Sequence, residues 1–175
     1  NIGAFEGQLL MIWLKSINAR IGVEVGSLGG YSASWLLRGL LPDGKLYTME
    51  LEKERAELLR SHFAGDLRVE VVEGRALDNL NGRLAELRDL DFVFIDADKR
   101  GYPEYVKWAI PRLRKGGLVI LDNSYIWGGM NYWKETWAHP KDGAWDSFQK
   151  SAFSGMTESW ELLANSPHFD SIVLP

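Results

Sequence analysis

The chain contains no cysteine, which removes disulfide bridges and thiolate metal sites from consideration. It also has no apolar run approaching the ~20 residues that a membrane-spanning helix requires, and no signal-peptide layout. A cytoplasmic location without membrane association is the expectation. Nor is there a basic excess. Lys and Arg number 20 against 24 Asp and Glu, giving a net charge of −4 and a pI near 5.4. That balance argues against a duplex nucleic acid partner, which favours a basic face, but leaves open a small anionic ligand or a single-stranded RNA loop. The three histidines, His62, His139 and His168, have no metal-ligand spacing and read as surface residues. Repeats, low-complexity tracts and linker-like stretches are missing as well.

What the chain does have is tryptophan, eight in 175 residues. Four of them, Trp127, Trp133, Trp137 and Trp145, fall in one segment. They read either as an apolar cluster beneath a long loop or as an aromatic wall for a planar substrate. The length fits one domain over 1–175, able to bury roughly 70% of its unfolded surface, with incompleteness at either end left open.

Hydrophobic periodicity predicts an α/β alternation. Helices are expected over Phe5–Ile17, Ser32–Leu40, Lys53–Phe63, Leu77–Leu87, Pro103–Leu113 and Trp145–Ala164. Strands are expected over Ile21–Val25, Lys45–Glu50, Arg68–Glu73, Asp91–Asp96 and Leu118–Asp122, with a last one over Phe169–Leu174. Repeated β-α units with short connections imply a mostly parallel sheet with helices on both faces.

Two of these strands end in a telling way. Phe92-Val-Phe-Ile-Asp96-Ala-Asp98-Lys99 and Leu118-Val-Ile-Leu-Asp122-Asn123 are buried-type apolar runs that stop abruptly in acids or an amide. Neighbouring strands of this kind would gather Asp96, Asp122 and Asn123 as oxygen donors suited to magnesium or calcium. Asp98 reads as a capping or solvent-exposed acid. Lys99, three residues past Asp96, is either a surface lysine or, beside a cation, a depressed-pKa general base. Earlier, Glu24-Val-Gly26-Ser-Leu-Gly29-Gly30-Tyr31-Ser32 places glycines between a strand and a helix start, where backbone can approach a ligand. Its spacing is not that of dinucleotide binders. Glu50, at the end of the next strand, is placed either to hold a ribose or to cap the following helix.

Taken together, Glu6-Gly-Gln8, Glu24-Val-Gly-Ser-Leu-Gly-Gly-Tyr-Ser32, Met49-Glu50, Phe94-Ile-Asp-Ala-Asp-Lys99, Tyr102, Leu121-Asp-Asn123 and Trp127 resemble the cation-dependent small-molecule O-methyltransferases. This family includes the catechol and caffeoyl-CoA O-methyltransferases. The resemblance is close over residues 6–128 and loose beyond. It implies a Rossmann-like class I methyltransferase fold. Glu24, Gly26, Ser27, Tyr31 and Ser32 would then line an S-adenosylmethionine site, together with Asp96. Glu50 would hold its ribose and Ala76 would lie beside its adenine. Asp96, Asp122 and Asn123 would bind Mg2+ or another divalent cation, Lys99 would be the base, and Trp127 would meet the substrate. The implied acceptor is a small aromatic with vicinal oxygens, and the family suggests a homodimer. The chain departs from the pattern where relatives often carry a hydroxyl residue (here Ile2 and Gly3), and at Arg100, where caffeoyl-type members have an acid. Two other readings keep the same residues: a methyltransferase acting on a modified tRNA nucleoside, and a cofactor-binding module without catalysis.

Overall fold

The computed structural model describes residues 2–123 and 147–172. It contains strands β1 (Ile21–Val25), β2 (Lys45–Glu50), β3 (Val69–Glu73), β4 (Leu90–Ile95) and β5 (Leu113–Leu121). Between and around them run α1 (Ala4–Ser16), α2 (Tyr31–Gly39), α3 (Lys53–His62), α4 (Ala76–Asn81) and α5 (Tyr102–Ala109), with α6 (Ser147–Ala164) following later. The strands form one sheet in the order β3-β2-β1-β4-β5, and every pairing is parallel. Strand order reverses beside β1, and ligand crevices in open parallel sheets form outside the carboxyl ends at such a reversal. The expected Rossmann-like architecture is therefore present. Its switch point lies between the glycine turn after β1 and the acidic tip of β4.

Both sheet faces are covered, which is why Phe92–Ile95 of β4 and Leu118–Leu121 of β5 read as unbroken apolar runs rather than alternations. Val23, Val25, Val93 and Ile95 face one apolar layer with Leu80, Leu84, Val106 and Met156. Leu46, Phe92 and Phe94 face the other, against Leu10, Leu14, Leu36 and Leu37 of α1 and α2. Gly22 fits this scheme by subtraction, since a Cβ added there would overlap the Phe92 ring. A small residue on β1 makes room for a large one on β4.

Four expected elements differ. The helix predicted over Leu77–Leu87 is only Ala76–Asn81, because Asn81-Gly82 breaks it and Gly82 leaves helical geometry at φ −110°, ψ −94°. Leu80 and Leu84 are still buried, so their spacing reported burial, not a continuous helix. The helix predicted to reach Leu113 ends at Ala109 and continues as a 3-10 turn, Ile110–Arg112. Pro111 has no N–H for an α-helical ladder, and Leu113 already belongs to β5. That strand begins earlier than expected because it contains an irregularity: Leu90 pairs with Leu113, but Phe92 pairs with Leu118. Finally, residues 169–172 do not form the described part of a last strand, and 173–174 lie outside the described residues. Among the described residues, no helix is long and apolar enough to cross a membrane.

Candidate active site

The glycine turn after β1 is folded tightly against the tip of β4. Gly26 has φ +93°, and a Cβ there would overlap the Asp96 carbonyl oxygen. Left-handed backbone and close approach both require glycine at this position. The turn is fastened from β2 as well, since the N–H groups of Gly26 and Ser27 donate to Met49 O at 3.2 and 3.0 Å. Leu28 is held at φ 51°, a conformation costly for a branched residue. Its N–H donates to Glu50 Oε2 at 2.8 Å, while Glu50 Oε1 accepts from the Glu52 N–H at 3.0 Å. Glu50 thus ties the turn to β2 and holds the residue that precedes α3. Each of its oxygens keeps a lone pair for a further donor.

Beside this turn is a cavity of about 180 Å³ lined by Ile2, Gly26, Ser27, Leu28, Tyr31, Ser32 and Asp96. Five of the predicted cofactor residues (Gly26, Ser27, Tyr31, Ser32 and Asp96) are therefore brought together. Glu24 lies behind the wall, fully buried. It accepts hydrogen bonds from Ser32 Oγ and Thr48 Oγ1, each at 2.5 Å. Burial pushes its carboxyl up to about 7, against the pull of those hydroxyls. Ser27 also favours the charged form, although its buried hydroxyl makes no hydrogen bond of proper geometry. Glu50 and Ala76 do not line this cavity, and Ala76 stands in the first turn of α4, at the end of β3. Sequence reasoning gave no cavity role to Ile2 or Leu28, and none to Thr48. A threonine at an interior position of a buried strand was the available signal for Thr48.

The acidic tips meet as expected. Ile95 pairs with Leu121, the Asp122 N–H donates to Ile95 O at 2.9 Å, and the Asp96 N–H donates to Val25 O at 2.9 Å. Register alone therefore sets Asp96 and Asp122 side by side. Burial raises the Asp122 carboxyl above the usual range, and the Asp96 carboxylate, within hydrogen-bonding reach, raises it further. Asp122 Oδ2 is buried with no hydrogen-bond partner. Two neighbouring carboxylates, one with a buried unpartnered oxygen, are a donor set that a divalent cation fits. Asn123 follows at φ 48° and is exposed. Among the described residues, no group of three or more His, Cys, Asp or Glu side chains is placed for a metal, so the fit rests on two acids and the adjacent amide.

Lys99 points into this group. Its Nζ lies 3.8 Å from Asp96 Oδ1 and donates to Asp122 O at 3.0 Å. Burial lowers the Lys99 ammonium from its ordinary range, against the opposing pull of Asp96 and Asp122. Tyr102 enters the sequence reading only as part of the family pattern, but structurally it is a hub. Fully buried, its hydroxyl meets Lys99 Nζ and lies 2.9 Å from Ile95 O and 3.1 Å from Asp122 O. Asp98 behaves as a capping acid: it accepts from the Gly101 N–H at 2.9 Å and from Tyr105 OH at 2.8 Å. His62 and His168 are exposed. Trp127, the other tryptophans of its segment and His139 lie outside the described residues.

A strand-tip crevice with a glycine turn on one side and paired acids plus lysine on the other defines a methyltransferase-type α/β site. Residues 1–141 match the family model described as O-methyltransferase, and the chain belongs to that family. It is 40% identical over 132 residues to a catechol O-methyltransferase of Mycobacterium tuberculosis, covering 74% of this chain and 59% of that protein. It is 34% identical over 122 residues to a catechol O-methyltransferase of Niastella koreensis, covering 67% and 55%. The chain thus spans little more than half the length of these curated relatives. Among solved structures, it superposes on an O-methyltransferase from Bacillus cereus in complex with SAH at TM-score 0.81 and 33% identity. That match covers 95% of this chain and 72% of the other. The O-methyltransferase TomG from Streptomyces achromogenes, in complex with SAM, gives TM-score 0.78 and 34% identity over 95% and 70%.

Proposed function

We propose that this protein is a divalent-cation-dependent O-methyltransferase that moves the methyl group of S-adenosylmethionine to one hydroxyl of a catechol-like aromatic. The observation that carries the reading is the meeting of Asp96, Asp122 and Lys99 beside the cavity of the glycine turn. The names of the similar proteins support the reaction class and the methyl donor. The catechol class of acceptor is supported by two of them and by the paired acids.

The donor would occupy the cavity lined by Gly26, Ser27, Tyr31 and Ser32, with Glu50 available to ribose hydroxyls and Ala76 beside the base. It supplies an electrophilic methyl on a sulfonium. Asp96 and Asp122, with Asn123, would hold a divalent cation such as Mg2+, whose charge lowers the pKa of a nearby acceptor hydroxyl. The chain's own residues do the remainder. Lys99, depressed by burial, takes the hydroxyl proton at Nζ. Tyr102 OH and the Asp122 carbonyl hold that nitrogen in place, so little reorientation is needed when the proton moves. Buried Glu24 keeps Ser32 and Thr48 oriented behind the donor site. Trp127 remains the proposed contact with the acceptor ring.

The test is transfer of labelled methyl from S-adenosylmethionine across a panel of catechols, with and without chelator, for the wild type and Lys99→Ala. Transfer that chelator abolishes is the expected result. Lys99→Ala should lose about 10²- to 10⁴-fold in rate, the usual worth of a general base, with unchanged S-adenosylhomocysteine affinity by calorimetry. A fully active Lys99→Ala enzyme would remove lysine from its role.

A further inference from the structure

Helix α6 carries a glycine in its interior, at position 155 of Ser147–Ala164. Glycine is the poorest helix former after proline, so a buried one in mid-helix calls for a packing reason. The reason here is the loop that bears the base. A Cβ at Gly155 would overlap the Lys99 carbonyl oxygen, and would lie 3.0 Å from Arg100 Cα and 3.1 Å from the Lys99 carbonyl carbon. The α6 backbone is thus laid directly on the backbone of Lys99. The helix reaches the same loop again where the Arg100 guanidinium sits 5.4 Å above the Phe148 ring. It is anchored beyond the loop too, with Met156 in the apolar layer of Tyr102 and Tyr105 and Glu158 accepting from Lys107 Nζ at 2.9 Å. On its other side the lysine is fixed by Tyr102 OH and the Asp122 carbonyl.

We propose that Gly155 is a positioning residue for methyl transfer: it seats the Lys99 loop against α6 and so sets where the amine stands relative to Asp96 and Asp122. This rests on the reading of Lys99 as the base. A methyl group at position 155 forces the loop and the helix apart. Misplacement of a reacting group by about 1 Å can cost about 10²-fold in rate. Alanine favours the helix, so the variant is expected to fold.

The experiment is steady-state kinetics of the wild type, Gly155→Ala, Lys99→Ala and the double variant in the full-length protein, with S-adenosylhomocysteine calorimetry on each. Gly155→Ala should lower kcat by about 10- to 100-fold while leaving KM for the catechol and the calorimetric affinity unchanged. In the Lys99→Ala background the same change should cost nothing more. Wild-type kcat in Gly155→Ala, an equal proportional loss in both backgrounds, or a parallel loss of S-adenosylhomocysteine affinity would each overturn the proposal. Should Gly155→Ala be recovered unfolded, Phe148→Ala at an exposed position takes its place: a smaller fall in kcat supports the seat, and full activity overturns it. An inactive wild type refutes the proposed function itself. An active wild type with inactive Lys99→Ala and fully active Gly155→Ala refutes this inference alone.

Discussion

At the scale of single residues, the most consequential side chain outside the reacting groups is Glu24. Its carboxyl is buried, and burial raises it from 4.5 to about 7. Between those values the folded protein binds a proton that the unfolded chain has released, so stability falls as pH rises through the window. Above about pH 7 the loss is complete, on the order of 3 kcal/mol from this group. Glu24→Gln removes the titration. Urea unfolding at pH 5 and pH 8 should show the variant gaining on the wild type at the higher pH. An unchanged difference between the two proteins would mean that Glu24 does not titrate in this range. The place of Glu24 near the end of β1, beside the glycine turn, was legible in the sequence. Its burial was not, because the hydroxyls that surround it come from α2 and β2, and only the register of β1 with β2, Glu24 against Thr48, reveals Thr48 as a partner.

At the scale of elements, β1 to β4 were read to within a residue at each end, whereas β5 starts at Leu113 rather than Leu118 and no strand forms over 169–172. Helix ends were read less well where the apolar spacing continued past a break. Leu84 keeps the spacing of α4 but follows Gly82, and Leu113 keeps that of α5 but follows Pro111. The same layer-by-layer packing yields a prediction at β1. Gly22 faces the Phe92 ring so closely that any side chain collides with it. Gly22→Ala is therefore expected to cost about 1–3 kcal/mol, as overpacked cores do, and Phe92→Leu in the same chain should recover part of that loss. Denaturant midpoints measure both. No destabilisation by Gly22→Ala would show that β1 and β4 have room to spare.

At the scale of the whole molecule, the parallel pairing of β4 with β5 brings acids distant in the sequence together. Asp96 and Asp122 are 26 positions apart in the sequence and become neighbours because β4 and β5 pair with Ile95 opposite Leu121. The paired tips could be read in advance, since each strand ends in an acid. The cavity wall was legible only in part: Ile2 reaches it from the segment before α1, far from any motif. The seat of Lys99 on α6 was not legible at all, because Gly155 sits in a helix with no sequence pattern pointing to the β4 loop. The central claim is that the joined strand tips hold a divalent cation beside the donor cavity. Calorimetric titration of magnesium into the protein saturated with S-adenosylhomocysteine tests it most directly, with Asp122→Ala as the comparison. Uptake by the wild type and its loss in Asp122→Ala is the expected result; no uptake by the wild type, or equal uptake by both, would contradict it.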